Sequence, residues 1–215
     1  VLSMKCKNWI RLIPSYLLVI ILILTAVIGT DKGITVLKEN QPVNRKYCII
    51  VDPGHGGIDG GATSCTGVLE SQINLEIALK LDDLMHLLGI DTKMIRTTDC
   101  SVYTEGETIA QKKVSDLKER VRIVNSVDNG LLISIHQNHF SSPKYYGAQV
   151  FYSKNFSDES SGLAQSIQES IVYFTQPKNK RKIKPCGTSV YLIYNAVKPA
   201  VLVECGFLSN KEEAE

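Results

Sequence analysis

"YCIIVDPGHGGIDGGATS", residues 47–64, decides how the rest of the chain is read. The run Cys48-Ile49-Ile50-Val51 is apolar without alternation, as expected of a strand covered on both faces of a sheet. It ends at Asp52-Pro53 and opens into a loop with glycines at 54, 56, 57, 60 and 61 around a single histidine, His55. A phosphate-cradling loop needs GxGxxG, or GxxxxG followed by Lys and Ser/Thr, running into a helix. Neither spacing occurs here. The glycines turn the backbone sharply and keep bulk away from the imidazole, which suits a metal ligand better than a phosphate.

Outward from this loop, short apolar runs alternate with helical spacing. "LESQINLEIALKLDDLMHLLG" (69–89) sets Ile73, Ile77, Leu81, Leu84 and Leu88 on one helix face and stops at Gly89. "TKMIRT" (92–97) is strand-like, and "SDLKERVRIVNSVD" (115–128) is helical through Leu117, Val121, Val124 and Val127. Strands follow at "LLISIHQN" (131–138) and "GAQVFYS" (147–153), a helix at "SGLAQSIQESIVYF" (161–174), and strands at "TSVYLIY" (188–194) and "AVLVEC" (200–205). The expected fold class is α/β, a mostly parallel twisted sheet with helices on both faces. There is no internal repeat and no second core-bearing domain.

The N-terminus has a different character. Lys5, Lys7 and Arg11 precede an uncharged stretch from Leu12 to Gly29, about one membrane span at the short end of the range. This predicts a signal anchor or signal peptide over 1–30, and hence an exported protein, membrane-anchored or secreted, whose body faces outward. Residues 31–45 are polar and aperiodic, a linker, leaving 46–215 as the core-bearing domain. The chain ends at "FLSNKEEAE" before any closing helix, so a trimmed C-terminus is expected. Formal charge is +2; setting aside the three leader cations leaves 21 basic against 22 acidic residues, a net of −1. A near-neutral body gives no electrostatic footprint for nucleic acid. The six cysteines include no CxxC pair, which argues against a zinc–thiolate site. Cys48 and Cys205 sit in strand-like runs as small buried hydrophobes.

In a parallel sheet the chemistry gathers at the carboxyl ends of the strands. There the chain puts Asp52 with His55 just beyond, His136 and Glu204, and Glu70 opens the first helix. Two histidines and a carboxylate are a frequent catalytic zinc set with one position left for water, and a further carboxylate can act as general base. Each residue alone has a plainer explanation: a loop histidine, or a glutamate favouring a helix N-terminus. Glu204 within "AVLVECGF" resists one, because a buried carboxylate without a role is costly.

The motifs "VDPGHGGIDGGA", "ESQINLEIALKL", "RTTD", "LKERVRIVN", "LLISIHQN", "GAQVFY" and "PAVLVECGFLSN" resemble the ordered series of the zinc-dependent N-acetylmuramoyl-L-alanine amidases, over residues 47 to about 212. The resemblance implies Zn2+ held by His55, Glu70 and His136, with Glu204 as the catalytic carboxylate. It implies hydrolysis of the amide between N-acetylmuramic acid and L-alanine in peptidoglycan. The short, membrane-leading layout is most like the CwlD-type sporulation amidases, which act in spore cortex maturation toward muramic δ-lactam. Members of the family are often held in check, so a protein activator is an expected partner. One departure is "SIHQNHF", where Gln137 and His139 replace the small residues commoner in the family.

Asn138 lies two residues beyond His136 and is expected on the same side, contacting substrate or a metal ligand. The run "KNKRKIKP" (178–185) holds five basic residues, among which Lys184 is the candidate for contact with peptide carboxylates. His86 and His139 are read as surface residues, and Arg96 and Arg120 as structural. The alternatives are a non-catalytic wall-binding module on the same fold and a zinc peptidase cutting within the stem peptide. The first requires loss of a ligand or of Glu204, and for the second HExxH is absent.

Overall fold

The computed structural model describes residues 47–215, within a compact unit beginning at Arg45. The leader and linker expected over 1–45 lie outside the described residues. Among the described residues no helix is long and apolar enough to cross a membrane.

Six strands form one sheet: β1 (Cys48–Pro53), β2 (Thr92–Met94), β3 (Gly130–Asn138), β4 (Gln149–Tyr152), β5 (Lys184–Pro185) and β6 (Ala200–Phe207). Their order is β2-β1-β3-β6-β4-β5. The first four in that order are mutually parallel; β4 runs antiparallel to β6, and β5 is parallel to β4. The helices are α1 (Glu70–Leu87), α2 (Ile109–Asn125), α3 (Ser157–Phe174), α4 (Tyr191–Asn195) and α5 (Lys211–Ala214).

The strand alternation splits the core into two layers. Ile50, Leu132 and Leu202 meet Val124 of α2 and Leu192 and Ile193 of α4 on one face. Val51, Ile133, Val201 and Val203 meet Ala78 of α1 and Ala164 of α3 on the other. Both faces are therefore dry, which is why these strands carry unbroken apolar runs. In register, Asp52 pairs with Ser134, and His136 with Glu204. Their side chains share the parity of Ile50, Leu132 and Leu202, so the strand-end polar residues emerge on the α2/α4 side of the sheet.

Three expectations are corrected. The strand expected over 188–194 is instead a turn followed by α4. Leu192 and Ile193 are adjacent and both buried against one face, which a helical turn allows and an alternating strand does not. Helix α2 begins at Ile109, six residues before the expected start, because Thr108 and Gln111 form a reciprocal capping box that the lysines at 112 and 113 hide from an apolar-spacing count. On α1, Leu84 and Leu88 are exposed, and the buried face runs through Glu70, Ser71, Asn74 and Ala78. Small and polar residues make this contact because α1 packs close to the β1 loop; Asn74 Nδ2 donates to the carbonyl of Gly54 at 3.3 Å.

Candidate metal centre and substrate cavity

The β1–α1 loop is held from beneath by two buried arginines. Arg96 donates to the carbonyls of Pro53 (2.9 Å), Gly54 (3.0 Å), Ser71 (2.8 Å) and Thr98 (3.0 Å). Arg120 donates to the carbonyls of Pro53 (3.0 Å) and His55 (2.6 Å) and pairs with Asp52 (2.5 Å) and Asp116 (2.6 Å). Asp52 also accepts from Ser134 at 2.5 Å. Burial opposes the charge on Asp52, but Arg120 and Ser134 prevail and its pKa falls below the ordinary carboxylate value. Asp52, Arg96 and Arg120 thus form the foundation of the loop rather than its chemistry.

On that foundation His55 adopts a left-handed backbone, φ 60°. Its Nδ1 lies 2.9 Å from Asp59 Oδ2, and its Nε2 lies 3.3 Å from Glu70 Oε1. The same Glu70 oxygen is 3.0 Å from His136 Nδ1 and accepts from the backbone N–H of Gln137 at 3.1 Å. Glu70 Oε2 accepts from the N–H of Ala62 at 3.0 Å. Burial alone would raise the Glu70 pKa, but the bonds from His136 and His55 hold it far below the carboxylate range. Burial likewise opposes charge on His55, and Glu70 followed by Asp59 raises it to about 8. Gly54 and Gly61 leave room for this cluster. A Cβ on Gly54 would sit 2.3 Å from the His136 ring, and one on Gly61 would sit 2.7 Å from Glu70 Oε2.

One ligand atom from each of His55, Glu70 and His136 falls within 4.8 Å of the others. Ligand arms of 2.0–2.1 Å in a tetrahedron place neighbouring donor atoms about 3.3 Å apart, so separations of 3.0 and 3.3 Å fit zinc with little adjustment. The Asp59 contact at the far nitrogen of His55 is the partner that ligating histidines ordinarily keep. Next to His136 on the neighbouring strand, Glu204 is half-buried, and its Oε2 is buried with no hydrogen-bond partner. Burial pushes its carboxyl pKa up, opposed by the charge of His136 and reinforced by that of Glu70. Glu204, His55 and His136 line a cavity of about 340 Å³, walled by Lys112, Lys113, Asp116 and Leu117 of α2 and by the segment Ser189–Leu192.

Residues 49–215 match the sequence profile described as N-acetylmuramoyl-L-alanine amidase. The chain belongs to the N-acetylmuramoyl-L-alanine amidase family. Its relatives include the germination-specific N-acetylmuramoyl-L-alanine amidase of Bacillus subtilis, 36% identical over 167 residues, 77% of this chain and 69% of the relative. Among solved structures, the CwlD amidase of Clostridioides difficile in complex with the GerS lipoprotein is 40% identical with a TM-score of 0.73, covering 78% of this chain and 85% of that one. An N-acetylmuramoyl-L-alanine amidase of Clostridium difficile 630 is 30% identical with a TM-score of 0.65, covering 80% and 85%. The chain is an amidase of peptidoglycan, and the cavity beside His136 and Glu204 is where this amidase presents its ionisable strand ends.

The structure brings His55, Glu70 and His136 together, with Glu204 lining the same cavity as the two histidines. It does not bring in the two further candidates. Asn138 follows a β-bulge that moves the β3–β6 register from Glu204 to Phe207; its carbonyl accepts from Leu208 N–H, and it does not line the cavity of Glu204. Lys184 is exposed on the edge strand β5, two places from β6 in the sheet and outside that cavity. His86 and His139 are exposed. Sequence reasoning missed Asp59 and Lys113, which lie 2.8 Å apart and continue the chain of contacts from His55 to α2. The available signal was a lone carboxylate four residues after a candidate ligand in the same glycine loop.

Proposed function

We propose that His55 Nε2, Glu70 Oε1 and His136 Nδ1 hold a zinc ion and that Glu204 is the general base and acid for cleavage of the muramoyl–L-alanine amide. Zinc in that set supplies Lewis acidity, acidifying a water and polarising the scissile carbonyl. Asp59 accepts the His55 Nδ1 proton, which leaves the Nε2 lone pair facing Glu70 and fixes the ring. Glu70 stays ionised because the backbone N–H groups of Ala62 and Gln137 and the Asn74 side-chain amide donate to its oxygens. Glu204 takes the proton from the attacking water on Oε2 and delivers it to the departing alanine nitrogen. Its raised pKa keeps the proton available for that second transfer. The observation that carries the reading is that Glu204 Oε2 is buried and unpartnered beside the histidine–glutamate cluster.

The germination-specific relative and the CwlD structure support a role in spore cortex maturation toward muramic δ-lactam. The lipoprotein bound in the latter supports a protein activator for this chain as well. The charged-then-apolar leader supports an exported enzyme, anchored or secreted, with 1–30 as leader, 31–45 as linker and 46–215 as the catalytic domain.

The test is mass spectrometry of purified peptidoglycan incubated with the zinc-loaded full chain beside E204Q. Release of free-amino L-alanyl peptides by the parent is expected, with at least a hundredfold loss in E204Q and undiminished zinc. Comparable turnover by E204Q would remove Glu204 from the role.

A further inference from the structure

The walls of the cavity at Glu204 carry more charge than the proton transfer uses, and most of it is matched internally. Asp52 and Asp116 are taken up by Arg120. Both Asp116 oxygens are engaged, one by Arg120 Nε and the other by the N–H of Val102 at 2.6 Å. Asp59 is taken up by His55 and Lys113. Lys112 is the exception. It lines the cavity and is half-buried on α2, its ammonium 5.3 Å from the centre of the Tyr103 ring. Among the described residues no carboxylate forms a salt bridge with it, and Asp116, one turn along the helix, has no oxygen to spare. A half-desolvated cation with only an aromatic face for company is an anion site in want of its anion.

The chemistry of the substrate says which anion. The lactyl carboxyl of muramic acid is consumed in the scissile amide, so the glycan around that bond is neutral. A glycan strand also continues in both directions and lies across an opening, whereas the stem peptide branches off and can enter a recess. The first anion along the stem is the α-carboxylate of its second residue, a D-glutamate joined onward through its γ-carboxyl. Two residues of extended chain put it about 7 Å from the scissile carbonyl, a reach that suits a cavity of about 340 Å³ with Glu204 among its walls.

We infer that Lys112, steadied by Tyr103, binds the α-carboxylate of the stem peptide's second residue and makes the enzyme discriminate against stems in which that carboxyl is amidated. This rests on the amidase reading and adds a specificity-determining residue to it. Binding of muramoyl tripeptides with a free or an amidated D-glutamate α-carboxyl is measured by calorimetry on the full chain in an E204Q background, with kcat/KM for both stems in the parent background. The unsubstituted site is expected to favour the free carboxylate by about tenfold, the worth of one charge-assisted hydrogen bond. K112M should collapse that preference toward unity, and K112R should keep most of it. K118M, on the same helix outside the cavity, should leave rate and preference alone.

An unchanged preference in K112M, with both ligands weakened in parallel or neither weakened, would overturn the assignment. So would a free-carboxylate stem that binds no better than its amidated counterpart. Discrimination in binding without turnover of either stem in the parent background would strike the amidase reading alone.

Discussion

Asp52, buried, and Glu204, half-buried with one oxygen shielded, both stand at the ends of parallel strands, and their surroundings assign them opposite work. Asp52 has Arg120 on one oxygen and Ser134 on the other, and its pKa is depressed; Glu204 has an oxygen with no partner, and its pKa is raised. D52N should cost about 3–5 kcal/mol in urea unfolding, because it leaves Arg120 buried without its counter-charge. Since the folded-state pKa of Asp52 lies below the unfolded one, its contribution is complete above about pH 3.9 and is lost as pH falls through the depressed value. The D52N curve of stability against pH should therefore be flatter than the parent's below pH 4. The sequence marked Asp52, His55, His136 and Glu204 alike as polar residues ending apolar runs. It could not separate foundation from chemistry, because that depends on Arg120, sixty-eight positions away from Asp52.

At the scale of elements, the β1–α1 loop is a backbone shaped by its glycines to admit two side chains. Gly54 is the most informative of them. Its backbone is not in the left-handed region, so alanine there meets no conformational strain, only the His136 ring. G54A should leave the fold standing yet weaken zinc binding roughly 10–100-fold, the range seen when support around a ligand is disturbed. Competition with a chromophoric chelator reads this directly; unaltered zinc affinity would mean that His136 does not need its present position. Elements with strong periodicity or a loop glycine signature were legible from the residues. Helix α4 was not, because four apolar residues in a row fit a strand or a helical turn equally well and only packing chooses.

For the whole molecule, the parallel core brings β1, β3 and β6 side by side, so residues 55, 136 and 204 reach one edge from three distant parts of the chain. The His55–Glu70–His136 cluster joins the two layers, since Glu70 comes from α1 on one face and His136 emerges toward the other. Zinc should therefore stabilise the fold as a whole. At a free concentration one hundred times its dissociation constant it adds about 2.7 kcal/mol, and for a domain of this size that is on the order of 5–11 °C in Tm. Differential scanning with and without chelator checks this, and E70Q should abolish most of the increment. The parallel core of the sheet was legible because a sheet covered on both faces writes unbroken apolar runs; the strand order and the antiparallel β4 were not. The dispositions of Asn138 and Lys184 were not, because one depends on a bulge and the other on a two-residue edge strand.

His55 holds a left-handed backbone that an imidazole-bearing residue adopts at a cost and glycine adopts freely. Stability and activity therefore pull this position in opposite directions. A library randomised at residue 55 and sorted only for resistance to heat or protease in the absence of metal should drift to glycine or asparagine. The same library sorted for wall cleavage should return to histidine.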